Sequence, residues 1–97
     1  MRIAEVIGRV TLNQRHPSLQ GATWLIAVPL TLDGLAHQGP GPGRGEPFVV
    51  YDELGAGQGA RIAVSEGAEA AAPFYPQTKP IDAYNAAILD TLEFEPL

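Results

Sequence analysis

Asp52-Glu53-Leu54-Gly55-Ala56-Gly57-Gln58-Gly59 separates two short β-type runs, Phe48-Val49-Val50-Tyr51 and Arg61-Ile62-Ala63-Val64. Glycines on alternate positions do not belong in a helix and would weaken a strand interior. The run reads as a loop whose backbone takes unusual dihedrals or packs against another backbone. Three roles fit such a loop. It could cradle a phosphate, but such loops open a helix, whereas a strand-like run follows here and no Gly-Lys-Ser/Thr is present. It could close a plain hairpin. It could also lie where several copies of the chain meet at a symmetry axis, where only glycine and alanine let backbones approach.

Outward from this loop the chain reads as strands. Met1 to Val10 alternates, with Ala4, Val6, Gly8 and Val10 on one face and Ile3, Glu5, Ile7 and Arg9 on the other. Gly8 inside that run suggests a bulge or a close backbone neighbour. Asn13 to Ser18 is a polar turn ended by Gly21. Thr23 to Leu30 is the second strand, with Trp24, Ile26, Val28 and Leu30 sharing a face, and Pro29 puts its end at an edge because proline has no donor.

Asp33 to Pro47 is the longest irregular stretch, a mobile surface loop whose centre alternates glycine and proline. Phe48–Tyr51 and Arg61–Ser65 are the third and fourth strands. Glu69-Ala70-Ala71-Ala72 favours one helical turn, which Pro73 stops. From Ile81 to Phe94 the pattern is ambiguous. Ile81, Tyr84, Ile88 and Leu92 would line a helix face, whereas Ile88, Asp90, Leu92 and Phe94 alternate as in a strand. About five short strands with glycine and proline turns favour an all-β, partly closed small barrel.

Composition narrows the function. The 97 residues are read as one domain, residues 1–97. A 45% hydrophobic content with only 18% charged residues leaves apolar surface that another subunit would cover. The net charge is −5, and Arg2, Arg9, Arg15, Arg44, Arg61 and Lys79 are scattered, which argues against a nucleic-acid partner. There is no cysteine, no signal-like start and no apolar run near the roughly 20 residues of a membrane helix, so a soluble cytoplasmic protein is expected.

No catalytic, cofactor or metal site emerges, and the chain is not expected to be an enzyme. His16 and His37 lie in turn segments without a ligand pair at a usable spacing. Ser18 and Ser65 lack a nucleophile-elbow context. Asp52 and Glu53, adjacent on a strand, point to opposite faces, so solvation or a hydrogen bond to the loop amides suits them better than a shared acid–base site.

Several segments, in order, resemble the EutN/CcmL family of bacterial microcompartment vertex proteins. Met1–Val10 is similar to the family's opening strand with its Val-Ile-Gly, and Leu19–Leu30 to its Leu-x-Gly segment running into a Pro-Leu strand end. Val50–Gly57 resembles the Val-Asp-x-Val-Gly-Ala-Gly hallmark, and Ile81-Asp82-Ala83 with Ala87–Asp90 the closing segment. The resemblance implies a five-stranded OB-like barrel whose last segment is a strand. It also implies cyclic pentamers capping the vertices of a polyhedral shell, with hexameric and trimeric shell proteins as partners. Gly55, Ala56, Gly57, Gln58 and Gly59 would then lie near the five-fold axis. Two departures stand out: Ala60 replaces a common glutamate, and Ala70-Ala71-Ala72 replaces a Ser-Ala-Arg-like stretch, so a charged lining at those positions is not carried over. The alternative is an OB-like module binding a ligand or oligonucleotide, which the few aromatics and acidic charge disfavour.

Overall fold

The structure is a computed structural model, describing residues 1–11, 17–19, 22–37, 39–76, 79 and 81–94. His16, most of the 13–18 turn, Gly21 and Gln38 lie outside the described residues. Five strands close a barrel: β1 (Arg2–Val10), β2 (Thr23–Pro29), β3 (Phe48–Asp52), β4 (Arg61–Glu66) and β5 (Ala83–Ile88). Their order around the barrel is β1-β2-β3-β5-β4. Only β3 and β5 run parallel; the other neighbours are antiparallel. Of the ambiguous Ile81–Phe94 segment only Ala83–Ile88 is a strand, wedged between β3 and β4, which are consecutive in sequence but not paired; Asp90, Leu92 and Phe94, whose alternation with Ile88 suggested a strand, lie outside it.

The interior is filled by small and β-branched residues. Ala4, Val6, Leu25, Ala27, Val50, Ile62, Val64 and Ala83 form its core together with Ala56 from the glycine loop. In β2 it is thus Leu25 and Ala27 that face inward, and the bulkier Trp24–Ile26–Val28 face looks out. The alternation of β1 holds only as far as Val6. A register shift between Val6 and Gly8 confirms the bulge that Gly8 suggested. Pro29 ends β2 but not at an open edge: it pairs with Ala4 of β1 on one side, and on the other its carbonyl accepts from the Gly45 amide at 2.9 Å.

Among the described residues two short α-helices pack outside the barrel. The expected turn is α2 (Ala68–Ala71), continued by a 3-10 turn at Ala72–Phe74. That segment covers Tyr51, whose ring meets Trp24 at 5.1 Å and Phe74 at 5.7 Å edge-on and stacks on Tyr84 at 6.3 Å. The Lys79 ammonium lies 4.8 Å from the Phe74 ring centre and hydrogen-bonds the Ser18 carbonyl, closing this outer cluster.

The stretch 33–47 is not irregular throughout. α1 (Leu32–Ala36) opens it, and an isolated bridge joins Leu30 to Arg44. Gly34 hides this helix from a pattern reading, because glycine is a poor helix former. Its place is set by packing: a side chain at Gly34 would run into the Gly43 carbonyl, and one at Gly43 into the Gly34 backbone. The stretch is also strapped to the barrel. Arg61 donates to the Leu35 and His37 carbonyls at 3.0 and 2.8 Å, a cation at the helix C-terminus. Arg44 pairs with Glu5 at 3.3 Å in a largely buried contact.

Candidate functional site

The glycine loop connects β3 to β4, but β5 lies between those strands, so the loop is not a hairpin. It crosses one end of the barrel and rejoins the sheet beside β1. There Gly59 donates to the Val6 carbonyl at 2.8 Å, and Val6 donates to the Ala60 carbonyl at 2.9 Å.

The loop is organised by Asp52, which is 1% exposed. One carboxylate oxygen accepts from the Leu54 amide at 3.0 Å and from the Asn85 side chain at 2.8 Å. The other accepts from the Gly55 and Ala56 amides, each at 3.0 Å. Four donors thus converge on one buried carboxylate, which compensates the cost of burying its charge. Asn85, fully buried on β5, uses its oxygen to accept from the Ala87 amide at 3.2 Å. The loop amides that a phosphate would need already hold an anion from the same chain, which removes the phosphate reading. The hydrogen bond from loop amides to carboxylate expected from the sequence is present.

The five small residues of the loop play different parts. Gly55 and Gly59 have φ of 81° and 87°, a region other residues enter at a cost. Ala56 is 1% exposed and points into the barrel core, so its small size already has an explanation within the protomer. Gly57 has neither constraint: its φ is not left-handed, and a side chain there would meet no atom within 4 Å. Gln58 is exposed beside it. Glu53, on the opposite face from Asp52, accepts from the Tyr84 hydroxyl at 3.2 Å. Burial, followed by the Glu53 charge, raises the Tyr84 phenol above its ordinary value.

Sequence reasoning assigned the loop and a carboxylate bond to its amides, but not Asn85. An aspartate bonding amides two to four residues on is a local motif that Asp52 signals. Asn85, 33 residues away, carries no such signal. Among the described residues the His37 ring bonds the Asp33 carbonyl, four residues back, at 2.7 Å. Among the described residues no group of three His, Cys, Asp or Glu is placed to hold a metal ion.

A family model described as ethanolamine utilisation protein EutN/carboxysome matches residues 1–90. The carboxysome shell vertex protein CcmL of Synechococcus elongatus is 37% identical over 95 residues, covering 98% of this chain and 89% of its own. The bacterial microcompartment shell vertex protein PduN of Salmonella typhimurium is 34% identical over 92 residues, covering 95% and 98%. The GrpN pentameric microcompartment shell protein from Rhodospirillum rubrum superposes with a TM-score of 0.77 at 32% identity, over 98% of this chain and all of that one.

Proposed function

The chain belongs to the EutN/CcmL family, and on that premise we propose that it forms a cyclic pentamer capping the five-fold vertices of a microcompartment shell in the bacterial cytoplasm. The relatives named as vertex proteins and the pentameric solved structure support this reading. The observation that carries it in this chain is Gly57. Nothing inside the protomer requires a glycine there, so the requirement lies outside, where neighbouring copies approach. Gly55, Gly57, Gln58 and Gly59 then surround the axis, with Ala56 as the plug that fixes the loop to its own barrel. With Ala60 in place of a carboxylate, Gln58 is the polar group that the axis presents.

The role is geometric. A head-to-tail interface repeated five times closes a ring, and closure prevents filament growth. The ring supplies curvature that flat tiles lack, and hexameric and trimeric shell proteins are its expected neighbours. An outward apolar strip suits such an interface. Ile26 sits in register between Gly8 and Val49, and Val49 and Ile7 are 47% and 36% exposed. Covering it contributes about 25 cal/mol per Å² of apolar area before the entropic cost of association.

Native mass spectrometry tests the reading. A species at five times the 10.3 kDa chain mass is expected, and a stable monomer or dimer would refute the pentamer. Gly57→Val should leave the barrel folded, because the protomer has open space there, and abolish the ring. A Gly57→Val pentamer would place this loop away from the axis.

A further inference from the structure

The bulge in β1 does more than bend a strand. Up to Val6 the odd positions of β1 face outward, and Arg9 would share the face of Glu5 if the alternation continued. The register shift between Val6 and Gly8 instead brings Arg9 opposite Leu25, a residue of the barrel interior. Bulges commonly re-aim a side chain in this way. Arg9 thereby borders a cavity of about 200 Å³ at the end of the barrel, lined by Val6, Gly8, Leu25, Ala56 and Gln58.

Arg2 pairs with Glu66, Arg44 with Glu5, and Arg61 with the carbonyls of α1. Arg9 has no hydrogen bond or ion pair to any described residue. We infer that this cavity is a binding subsite for a small aliphatic carboxylate, held by the Arg9 guanidinium and the Gln58 side-chain amide. The assignment rests on the donors and the floor together. A planar guanidinium matches a two-oxygen carboxylate in bidentate geometry. The floor formed by Val6, Leu25 and Ala56 is apolar and suits a short alkyl chain.

Phosphate fits less well, since it seeks many N–H donors and the amides of residues 54–56 are committed to Asp52. The volume corresponds to about six or seven waters at roughly 30 Å³ each, which limits the ligand to a few carbons. Because Gln58 and Ala56 belong to the glycine loop, an occupied subsite would touch that loop directly. The inference concerns a pocket within one protomer and does not depend on the ring.

The test is an NMR titration of the full chain, following the Arg9 Nε–H and Gln58 side-chain amide signals. Sodium formate, butyrate, phosphate and chloride are added at constant ionic strength. Saturable shifts at both groups are expected for butyrate, with a dissociation constant on the order of 1–10 mM, as befits so small a ligand. Butyrate should bind roughly sixtyfold more tightly than formate if its three additional carbons are all buried, since each is worth about fourfold. Arg9→Gln, an exposed substitution, should keep the remaining amide spectrum and lose butyrate affinity at least tenfold; Gln58→Ala should weaken it less. Three results would overturn the assignment: linear drift equal for chloride and butyrate, which means an adventitious ion only; phosphate binding tighter than butyrate; or unchanged affinity in Arg9→Gln.

Discussion

Replacing Asp52 by asparagine changes little in volume but reverses one hydrogen-bonding atom, and the geometry gives the consequence. The asparagine oxygen can keep the Gly55 and Ala56 amides, which leaves its NH2 facing the Leu54 amide and the Asn85 side chain, both donors. Asn85 can rotate to accept from the new NH2, but it then turns its own NH2 toward the Ala87 amide. Two bonds are lost either way. At about 1–3 kcal/mol for each donor left unsatisfied, lower where water reaches it, the expected loss is about 2–4 kcal/mol. That is a large share of a stability of roughly 5–15 kcal/mol. Asn85→Asp alone should be at least as damaging, because it sets two carboxylates within contact distance in the interior. Combined, the two substitutions should compensate. An aspartate at 85 accepts from both the asparagine NH2 and the Ala87 amide, leaving only the Leu54 amide unpaired, so most of the loss is recovered. Urea unfolding of the wild type, both single variants and the double variant measures the coupling directly. A double variant whose loss equals the sum of the singles would refute the network, as would an Asp52→Asn variant within 0.5 kcal/mol of wild type.

The remaining predictions concern single positions. Gly34→Ala, whose methyl group would run into the Gly43 carbonyl, should cost about 1–3 kcal/mol in thermal unfolding, and an unchanged midpoint would show that α1 can shift freely. Gly59→Ala should cost about 1–2 kcal/mol through its φ of 87°, whereas Gly57→Ala should leave protomer stability nearly unchanged; equal losses would contradict the separation of the two glycines. Lys79→Gln removes the ammonium from the rings of Phe74 and Tyr51 and should cost about 1 kcal/mol. It should also alter the fluorescence of Trp24, the single tryptophan of the chain, which packs edge-on against Tyr51; an unchanged spectrum and stability would show that the cation contributes nothing there.

What was legible in the sequence follows from the range of each interaction. Strands announce themselves by local alternation and turns by local glycine and proline, so β1 to β4 and α2 were readable within a residue or two. β5 was not, because Ile88 and Leu92 satisfy both periods; its state is decided by the slot between β3 and β4, whose residues pair with it across 17 to 33 positions of sequence. α1 was hidden because Gly34, a poor helix former, is required by the backbone of Gly43 nine positions away. The same holds for the inward face of β2. Both faces of β2 are apolar, so pattern does not say which one turns inward; Leu25 and Ala27 join the barrel core, and Trp24 finds its cover in the aromatic cluster outside.

The glycine loop illustrates the limit most clearly. As a sequence, Gly55-Ala56-Gly57-Gln58-Gly59 is one feature with one apparent cause, small size. In the fold it separates into three. Gly55 and Gly59 are glycine because of their backbone dihedrals, and Ala56 is small because it fills the barrel interior. Only Gly57 lacks a reason within the protomer. On the proposed pentamer reading, Gly57 is therefore the loop position whose lack of a side chain a contact between copies would explain. The same logic applies to Arg9 at the other side of the cavity: a bulge that turns an arginine onto an apolar floor without giving it a partner among the described residues leaves the guanidinium for the proposed carboxylate.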